Sequence, residues 1–189
     1  YEAKLGGTER VAGRLCQVVM LEPRDGYRYS YNLWLDKQTG LPLKSRVVND
    51  SGVVVSMFVF SEIQIGKAPD AESFHNDLAG KRVQQASLDK PAKVAWDVTP
   101  PPGFERVQEA VRALPGKQAP VTHLVFSDGL SVLSMFVERA DPQVQNLRGL
   151  SAEGVIGIYA REVDGHTVTT LGEVPNMALI ETGNSVKRK

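Results

Sequence analysis

Alternating apolar and polar residues in the first third of the chain predict an antiparallel sheet of four strands. The four segments are LCQVVMLE, YRYSYNLWL, LKSRVVN and VVVSMFVFSEIQI. Asp25-Gly26 predicts a hairpin between the first two segments, and in its simplest register Tyr29 lies opposite Glu22. One face of that sheet then carries Cys16, Val18, Met20, Tyr31, Leu33 and Leu35. This part of the chain offers no helix or second sheet to cover that apolar face.

The second half of the chain predicts a small antiparallel sheet with one C-terminal helix, an α+β arrangement. A hairpin that turns at Asp164-Gly165 places Ile158 opposite Leu171. Pro175 suits the first turn of a helix over NMALIETGNSV. The residues expected to face inward from this helix are Met177, Ile180 and Val186.

Two segments carry weaker patterns. Residues 67–92 are polar and lack strand alternation, so we predict a linker, with room for one short helix. The segment RVQEAVRAL has apolar residues at Val107, Val111 and Leu114, which is helical spacing over a short distance.

A hairpin between VTHLVF and LSVLSMFV is apolar on both faces. Asp128-Gly129 predicts a tight type I′ turn between these strands. One face carries Leu124, Phe126, Leu133 and Met135, and the other carries Val121, Val125, Val132 and Phe136. A two-stranded ribbon with two apolar faces is not stable alone in water, so either the rest of this chain or a partner must cover each face.

Composition narrows the class of protein. The 189 residues contain 22 Lys+Arg and 22 Asp+Glu, and this balance gives no electrostatic reason to expect nucleic acid as a partner. No apolar run reaches the roughly 18 residues of a membrane-spanning helix. The chain shows no signal peptide and begins at Tyr1, from which we expect a mature or trimmed product.

The residues that could support catalysis are scattered. His75, His123 and His166 have no metal-ligand spacing, so we predict neither a metal site nor a cofactor. Cys16 lies on an apolar strand face, which favours a packing role. Glu153, Glu162 and Asp164 cluster near one hairpin without a predicted apolar pocket. We therefore predict no catalytic residue and no enzyme activity.

Aromatic residues are concentrated in the first sheet. They fill a core in one interpretation, and in the other they line a concave apolar surface that accepts lipid chains. The residues of the second interpretation are Tyr29, Tyr31, Leu33, Phe58 and Phe60.

Several segments, in order, resemble the MucB/RseB family, the periplasmic regulators of the envelope-stress sigma factor. RVAGRLCQVVMLEPRDGYRYSYNLWLDKQTGLPLKS and DSGVVVSMFVF resemble the end of the family's large domain. WDVTPPPGF, FSDGLSVLSMFVERA and REVDGHTVTTLGEVP resemble successive parts of its small C-terminal domain. The resemblance covers nearly the whole chain outside the linker.

The resemblance implies a mainly β, α+β fold. Residues 1–66 would hold the last antiparallel strands of a large domain similar to LolA and LolB, an unclosed β-barrel, without its earlier strands and covering helices. Residues 67–92 would be the linker, and residues 93–189 the small antiparallel-sheet domain with its C-terminal helix. The resemblance also makes the segment after PPPGF a strand, which we adopt over the helical spacing.

The resemblance implies a regulator in the periplasm. Such proteins bind the periplasmic segment of an anti-sigma factor, MucA or RseA, and shield it from regulated proteolysis, while lipopolysaccharide or lipoprotein acyl chains act on the large domain. The predicted partner-binding residues are Val121, Val125, Val132 and Phe136. A lipid or lipoprotein carrier similar to LolA is the alternative. The sequence leaves homo-oligomer formation open.

Overall fold

A computed structural model of the chain describes residues 1–70, 74, 95–112, 119–141 and 148–189. This part contains strands in antiparallel sheets and one C-terminal helix. The strands of the first sheet are β1 Glu2–Val11, β2 Arg14–Glu22, β3 Ser30–Asp36, β4 Pro42–Val48 and β5 Val54–Val59. The remaining elements are β6 Trp96–Asp97, β7 Glu105–Arg112, β8 Val121–Ser127, β9 Val132–Arg139, β10 Gly149–Glu153, β11 Ile156–Val163, β12 His166–Gly172, α1 Asn176–Ser185 and β13 Lys187–Arg188. The predicted linker lies mostly outside the described residues.

The first sheet is a meander in the order β1-β2-β3-β4-β5. The sequence predicted four of these strands and missed β1. Gly6 and Gly7 interrupt the alternation of β1, and the register between β1 and β2 shifts between Leu5 and Thr8. The two strands join through Ala12-Gly13, both with positive φ, as a two-residue hairpin turn requires.

The predicted register of the β2–β3 hairpin is wrong by one residue. Val18 lies opposite Trp34, and Val19 lies opposite Leu33. Tyr29 belongs to the connecting loop, so it does not pair with Glu22. Because side chains alternate between faces, this slip moves Tyr31, Leu33 and Leu35 to the face opposite Cys16, Val18 and Met20.

A small core lies on the Cys16 side of the first sheet. Its buried members are Val11, Cys16, Val18, Trp34 and Leu43. Cys16 is 0% exposed, and burial raises the pKa of its thiol. The predicted packing role of Cys16 agrees with this position, because a buried neutral thiol is a poor nucleophile.

The buried carboxylate of Asp36 closes one end of this sheet. Arg14 donates from Nε to Oδ1 (3.0 Å) and from Nη2 to Oδ2 (2.9 Å), and Thr39 Oγ1 donates to Oδ2 (2.7 Å). These hydrogen bonds, those from Arg14 above all, lower the pKa of Asp36 to about 2.

We expect Asp36 to make stability depend on acid pH. Its folded pKa lies below the ordinary 3.8, so its contribution is complete above about pH 4 and is lost as the pH falls toward 2. Thermal unfolding followed by circular dichroism should give the wild type a higher unfolding temperature than Asp36→Asn at pH 6. The difference between the two unfolding temperatures should shrink as the pH is lowered from about 4 to 2.5. Glu22→Gln, in an exposed ion pair with Lys4, is the control. Parallel curves for wild type and Asp36→Asn at every pH would contradict the assignment.

The second sheet has six strands in the order β10-β11-β12-β9-β8-β7. The segment after PPPGF is strand β7, which confirms the strand chosen over the helical spacing; Leu114 lies outside the described residues. The sequence pattern did not predict β10, whose sequence GLSAE is short and mostly small or polar. Asp164 and Gly165 both have positive φ between β11 and β12, and Ile158 pairs with Leu171 as predicted.

The β8–β9 hairpin pairs Leu124 with Met135 and Phe126 with Leu133, so these four residues share one face, as predicted. Its turn is not type I′. Four residues, 128–131, connect the strands, because the Asp128 side chain accepts hydrogen bonds from the backbone N–H groups of residues 130 and 131. On the other face of the hairpin, His123 lies opposite Phe136, and Val125 lies opposite Ser134. All four predicted valine and phenylalanine residues still share that face.

Helix α1 covers one face of the second sheet. Its buried residues are Ala178, Leu179, Thr182 and Gly183. The predicted inward face is therefore wrong for Met177, which is exposed, and for Ile180, which is half-buried, whereas Val186 is buried just beyond the helix. The core under the helix includes Phe126, Leu133, Met135, Val168, Leu179, Trp96 and Phe104. One of the two apolar hairpin faces is thus covered by this chain itself.

Candidate functional site

The second apolar face of the β8–β9 hairpin points away from α1. Strand alternation places on this face the apolar residues Val121, Val125, Val132, Phe136, Ile156, Ile158 and Leu171, which we call the outer face. One row across the sheet runs from Val125 through Ser134 and Leu171 to Ile158. The outer face therefore extends beyond the hairpin over β12 and β11.

Exposure varies along the outer face. Val132 is 52% exposed, Val125 and Phe136 are half-buried, and Val121 is only 1% exposed. The His123 ring stacks on Phe136 with centroids 4.3 Å apart. Val132 and Phe136 are thus the accessible members of the four predicted partner-binding residues, together with the open part of Val125. Whether they bind a partner stays a prediction.

A cavity of about 340 Å³ lies where the outer face meets the first sheet. Its walls are Tyr31, Leu130, Ser131, Val132, Ser134, Ile156, Leu171, Gly172 and Glu173. We call it the junction cavity. It brings together Val132 and Tyr31, which the sequence analysis had assigned to two different sites.

Close backbone approach shapes the floor of the junction cavity. A Cβ at Gly172 would lie 2.6 Å from the carbonyl oxygen of Val132, so no larger residue fits without moving β9 from β12. On the opposite wall, the hydroxyl groups of Tyr31 and Ser131 share a hydrogen bond of 3.0 Å. Burial raises the pKa of Tyr31, and the nearby Glu173 carboxylate adds to that effect.

Glu173 is the acidic group of the junction cavity. Its Oε1 atom is buried and has no hydrogen-bond partner in the described structure. The charge of Glu173 also contributes, after burial and Asp50, to a raised pKa of Tyr29. No sequence pattern marks Glu173, since an isolated glutamate between Gly172 and Val174 resembles any strand-end charge.

Arg28 joins the two sheets beside the junction cavity. Its Nε donates to Asp128 Oδ2 (2.7 Å), its Nη2 donates to the Pro102 carbonyl (2.6 Å), and it pairs with Asp25. Its guanidinium also lies 5.0 Å from the centroid of the Phe104 ring. The hydrogen bonds to Asp128 outweigh burial and lower the pKa of its carboxyl. No local sequence pattern marks this anchor, because its partners lie 74 and 100 positions away in the chain.

The five residues predicted to line a lipid surface separate into different environments. Tyr31, Leu33 and Phe58 lie on one face of the first sheet by strand register, which we call the Tyr31 face. Tyr29 is half-buried in the β2–β3 loop, and Phe60 packs against the core of the opposite side. The Phe58 and Phe60 rings are edge to face, 5.0 Å between centroids.

The Tyr31 face is apolar and partly open. Besides Tyr31, Leu33 and Phe58, strand register places Leu5 and Leu15 on it. Leu5 is 77% exposed and Phe58 is 55% exposed. Open apolar surface of this kind is typical of a face that meets another polypeptide or an apolar ligand.

Glu153, Glu162 and His166 do not converge on one site. Glu153 pairs with Ile156 at one end of β11, whereas Glu162 lies at the other end, about 20 Å away by strand rise. Glu162 forms an exposed ion pair with Arg148, and the His166 ring lies edge to face against Trp96 on the helix side. Among the described residues, no group of three His, Cys, Asp or Glu side chains could hold a metal ion. Within that same part of the chain, no helix has the length and apolar character to cross a membrane.

Comparison with known proteins places both sheets in one family. Residues 1–87 match the MucB/RseB N-terminal domain, and residues 90–187 match the MucB/RseB C-terminal domain. The sigma factor AlgU regulatory protein MucB of Pseudomonas aeruginosa is 35% identical over 179 residues, which are 93% of this chain and 57% of that protein. The sigma-E factor regulatory protein RseB of Escherichia coli K12 is 28% identical over 186 residues, 96% of this chain and 57% of the relative.

Solved structures agree with the sequence matches. The crystal structure of MucB in complex with MucA(peri) superposes with a TM-score of 0.81 at 31% identity, covering 100% of this chain and 68% of that one. The Pseudomonas aeruginosa MucA/MucB complex gives a TM-score of 0.79 at 31% identity, covering 100% of this chain and 65% of that one. The chain spans 57% of the length of both sequence relatives.

Proposed function

Because the chain belongs to the MucB/RseB family, we propose that it regulates an envelope-stress sigma factor by binding the periplasmic segment of a MucA- or RseA-type anti-sigma factor. The family is one of non-enzymatic regulators. Binding in the periplasm would shield the anti-sigma segment from regulated proteolysis. The observation that carries the proposal is the apolar outer face, which α1 does not cover and on which Val132 is half exposed.

The shape of the outer face supports a docked polypeptide. Val132, Phe136 and Leu171 supply apolar contact area beside the junction cavity. Protein interfaces concentrate their binding energy in a few residues that fill well-packed pockets, and the surrounding contacts exclude water. A solved relative, MucB, carries MucA(peri) in its complex, which agrees with this use of the fold.

We also propose the finer division of the chain. Residues 1–66 would be the last strands of a LolA-like unclosed barrel, residues 67–92 a linker, and residues 93–189 the small domain that contacts the anti-sigma factor. The meander β1–β5 and its open Tyr31 face support the first assignment, because a barrel segment needs a covered inner face.

Aspartate substitutions on the outer face test the proposed function. We expect Val132→Asp and Phe136→Asp to weaken binding of the purified anti-sigma periplasmic segment about 30-fold or more, because a charge would replace desolvated apolar contact. Isothermal titration calorimetry measures the affinity, and a protease-protection assay of the segment measures the shielding.

The control is Val107→Asp, since Val107 is a 62% exposed valine on the edge strand β7 of the same sheet. This variant should bind like the wild type. If Val132→Asp and Phe136→Asp fold normally and bind the segment with unchanged affinity, the outer face is not the docking surface.

A second proposal, binding of lipid or lipoprotein acyl chains as sensor or carrier, is favoured by the exposed Leu5 and Phe58 on the Tyr31 face. Native mass spectrometry and displacement of a fluorescent fatty acid from the full-length protein test it. Stoichiometric uptake that Phe58→Asp abolishes would support lipid binding. Absence of uptake by the full-length protein would end the proposal.

A further inference from the structure

We propose that the junction cavity receives a lysine or arginine side chain of an extended partner peptide, with the Glu173 carboxylate as its counter-ion. The inference deepens the proposed function and rests on it. It assigns a charge-specific contact to a surface whose other contacts are apolar.

Among the described residues that line it, the junction cavity has an acid and no base. Of its nine wall residues, Glu173 carries the carboxylate, and the others are apolar, hydroxyl-bearing or glycine. Glu173 Oε1 is buried without a hydrogen-bond partner, a state that is costly for a carboxylate oxygen. A cationic group entering the cavity would supply the missing hydrogen bond and the opposite charge.

The neighbouring arginine cannot supply that charge. Arg28 lies at the same junction, but its guanidinium donates to Asp128 and Pro102 and pairs with Asp25. The opposite wall also carries no cation, since Tyr31 and Ser131 bond to each other there. The charge of Glu173 instead acts on the two tyrosines, whose pKa values it helps to raise.

Size and wall chemistry favour a single long side chain. About 340 Å³ lies at the small end of the roughly 300–1,000 Å³ of ligand pockets. Val132, Ile156 and Leu171 form apolar walls along which the methylene stem of lysine or arginine can pack while its charged end reaches Glu173.

The surroundings favour a peptide as the bearer of that side chain. The cavity opens beside Val132, which is also the exposed residue of the outer face. A peptide on the outer face can therefore place neighbouring apolar residues against Val132 while its basic residue enters the cavity.

The test measures binding of the purified anti-sigma periplasmic segment to the whole chain carrying Glu173→Gln or Glu173→Lys. We expect Glu173→Gln to weaken binding about 30-fold and Glu173→Lys to weaken it further, because each leaves the basic side chain without its counter-ion. The matched control is Glu162→Gln, an exposed carboxylate near the end of β11 that lies far from Ile156, which should leave the affinity unchanged.

A structural role of Glu173 would give a different result. The free Glu173→Gln chain should unfold at the same temperature as the wild type or a higher one, since the substitution removes the charge from a buried oxygen that has no hydrogen-bond partner. Loss of binding together with a lowered unfolding temperature would overturn the proposal. Charge reversal of one lysine or arginine in the segment should restore binding to Glu173→Lys, which identifies the inserted residue.

The remaining outcomes separate the two proposals. If the wild type does not bind the segment, the proposed function fails. If the wild type binds and both Glu173 variants bind equally well, the proposed function stands and the counter-ion role is wrong. The Glu173 variants could instead change the uptake of a fluorescent fatty acid or amine-headgroup lipid and leave the affinity for the segment unchanged. In that case the occupant is a lipid, and the peptide proposal is overturned.

Discussion

Arg28→Met is expected to lower the free energy of unfolding by about 3–5 kcal/mol, because it leaves the buried Asp128 carboxylate without its cation. Arg28 and Asp128 are both almost fully buried, so little water can replace the lost hydrogen bonds. The variant also loses the bond to the Pro102 carbonyl and the contact with the Phe104 ring. Urea denaturation followed by tryptophan fluorescence and circular dichroism measures the change.

Two further variants sharpen the Arg28 experiment. Removing both charges in Arg28→Met/Asp128→Asn should recover a large part of the lost stability, since no uncompensated charge stays buried. Lys4→Met, which breaks the exposed ion pair with Glu22, should change the stability little. Equal, small losses for Arg28→Met and Lys4→Met would show that the buried pair does not anchor the two sheets.

Local sequence signals predicted the elements whose structure depends on neighbouring residues. Asp164-Gly165 adopts the two positive φ angles that its tight turn needs, and Pro175 precedes α1. The Asp128-Gly129 turn is longer than the predicted two-residue turn, because the Asp128 side chain accepts hydrogen bonds from the backbone N–H groups of residues 130 and 131. A local pattern does not choose between these two uses of an aspartate before glycine.

The predictions were wrong where the face of a residue depended on the length of a loop or on packing against a distant segment. The β2–β3 loop takes Tyr29 out of the strand, and this slip moved Leu33 to the other face. Helix α1 buries Thr182 and Gly183, whose small side chains let it lie close to the sheet; a search for apolar residues selected Met177 instead. The pattern of apolar residues alone does not predict that the helix and the sheet lie so close together.

In the candidate site too, local patterns predicted some neighbours, and long-range packing decided the others. Alternation along β8 and β9 was enough to group Val132 with Phe136, because both lie on one face of one hairpin. Glu173 and Tyr31 meet through the packing of two sheets, about 140 positions apart in the chain, so no local pattern relates them. Glu153, on β10 beside the start of β11, and Glu162, near the end of β11, are neighbours in the sequence pattern but lie far apart in the sheet.

Adjacent substitutions in β9 should separate folding from binding. Leu133 is 0% exposed in the core under α1, and we expect Leu133→Ala to cost about 2–5 kcal/mol of unfolding free energy through the cavity it leaves. Val132 points to the outer face, and Val132→Ala should cost about 0.5 kcal/mol or less while weakening binding of the anti-sigma segment.

This pair of variants tests the central physical claim, that β9 serves the core with one face and a partner with the other. Because the two positions differ by one residue, any general effect of mutating the strand would appear in both variants. Urea denaturation gives the stabilities, and calorimetric titration below the unfolding transition gives the affinities. A stability loss at Val132 as large as that at Leu133 would mean that this chain itself covers the outer face, and the docking proposal would fail.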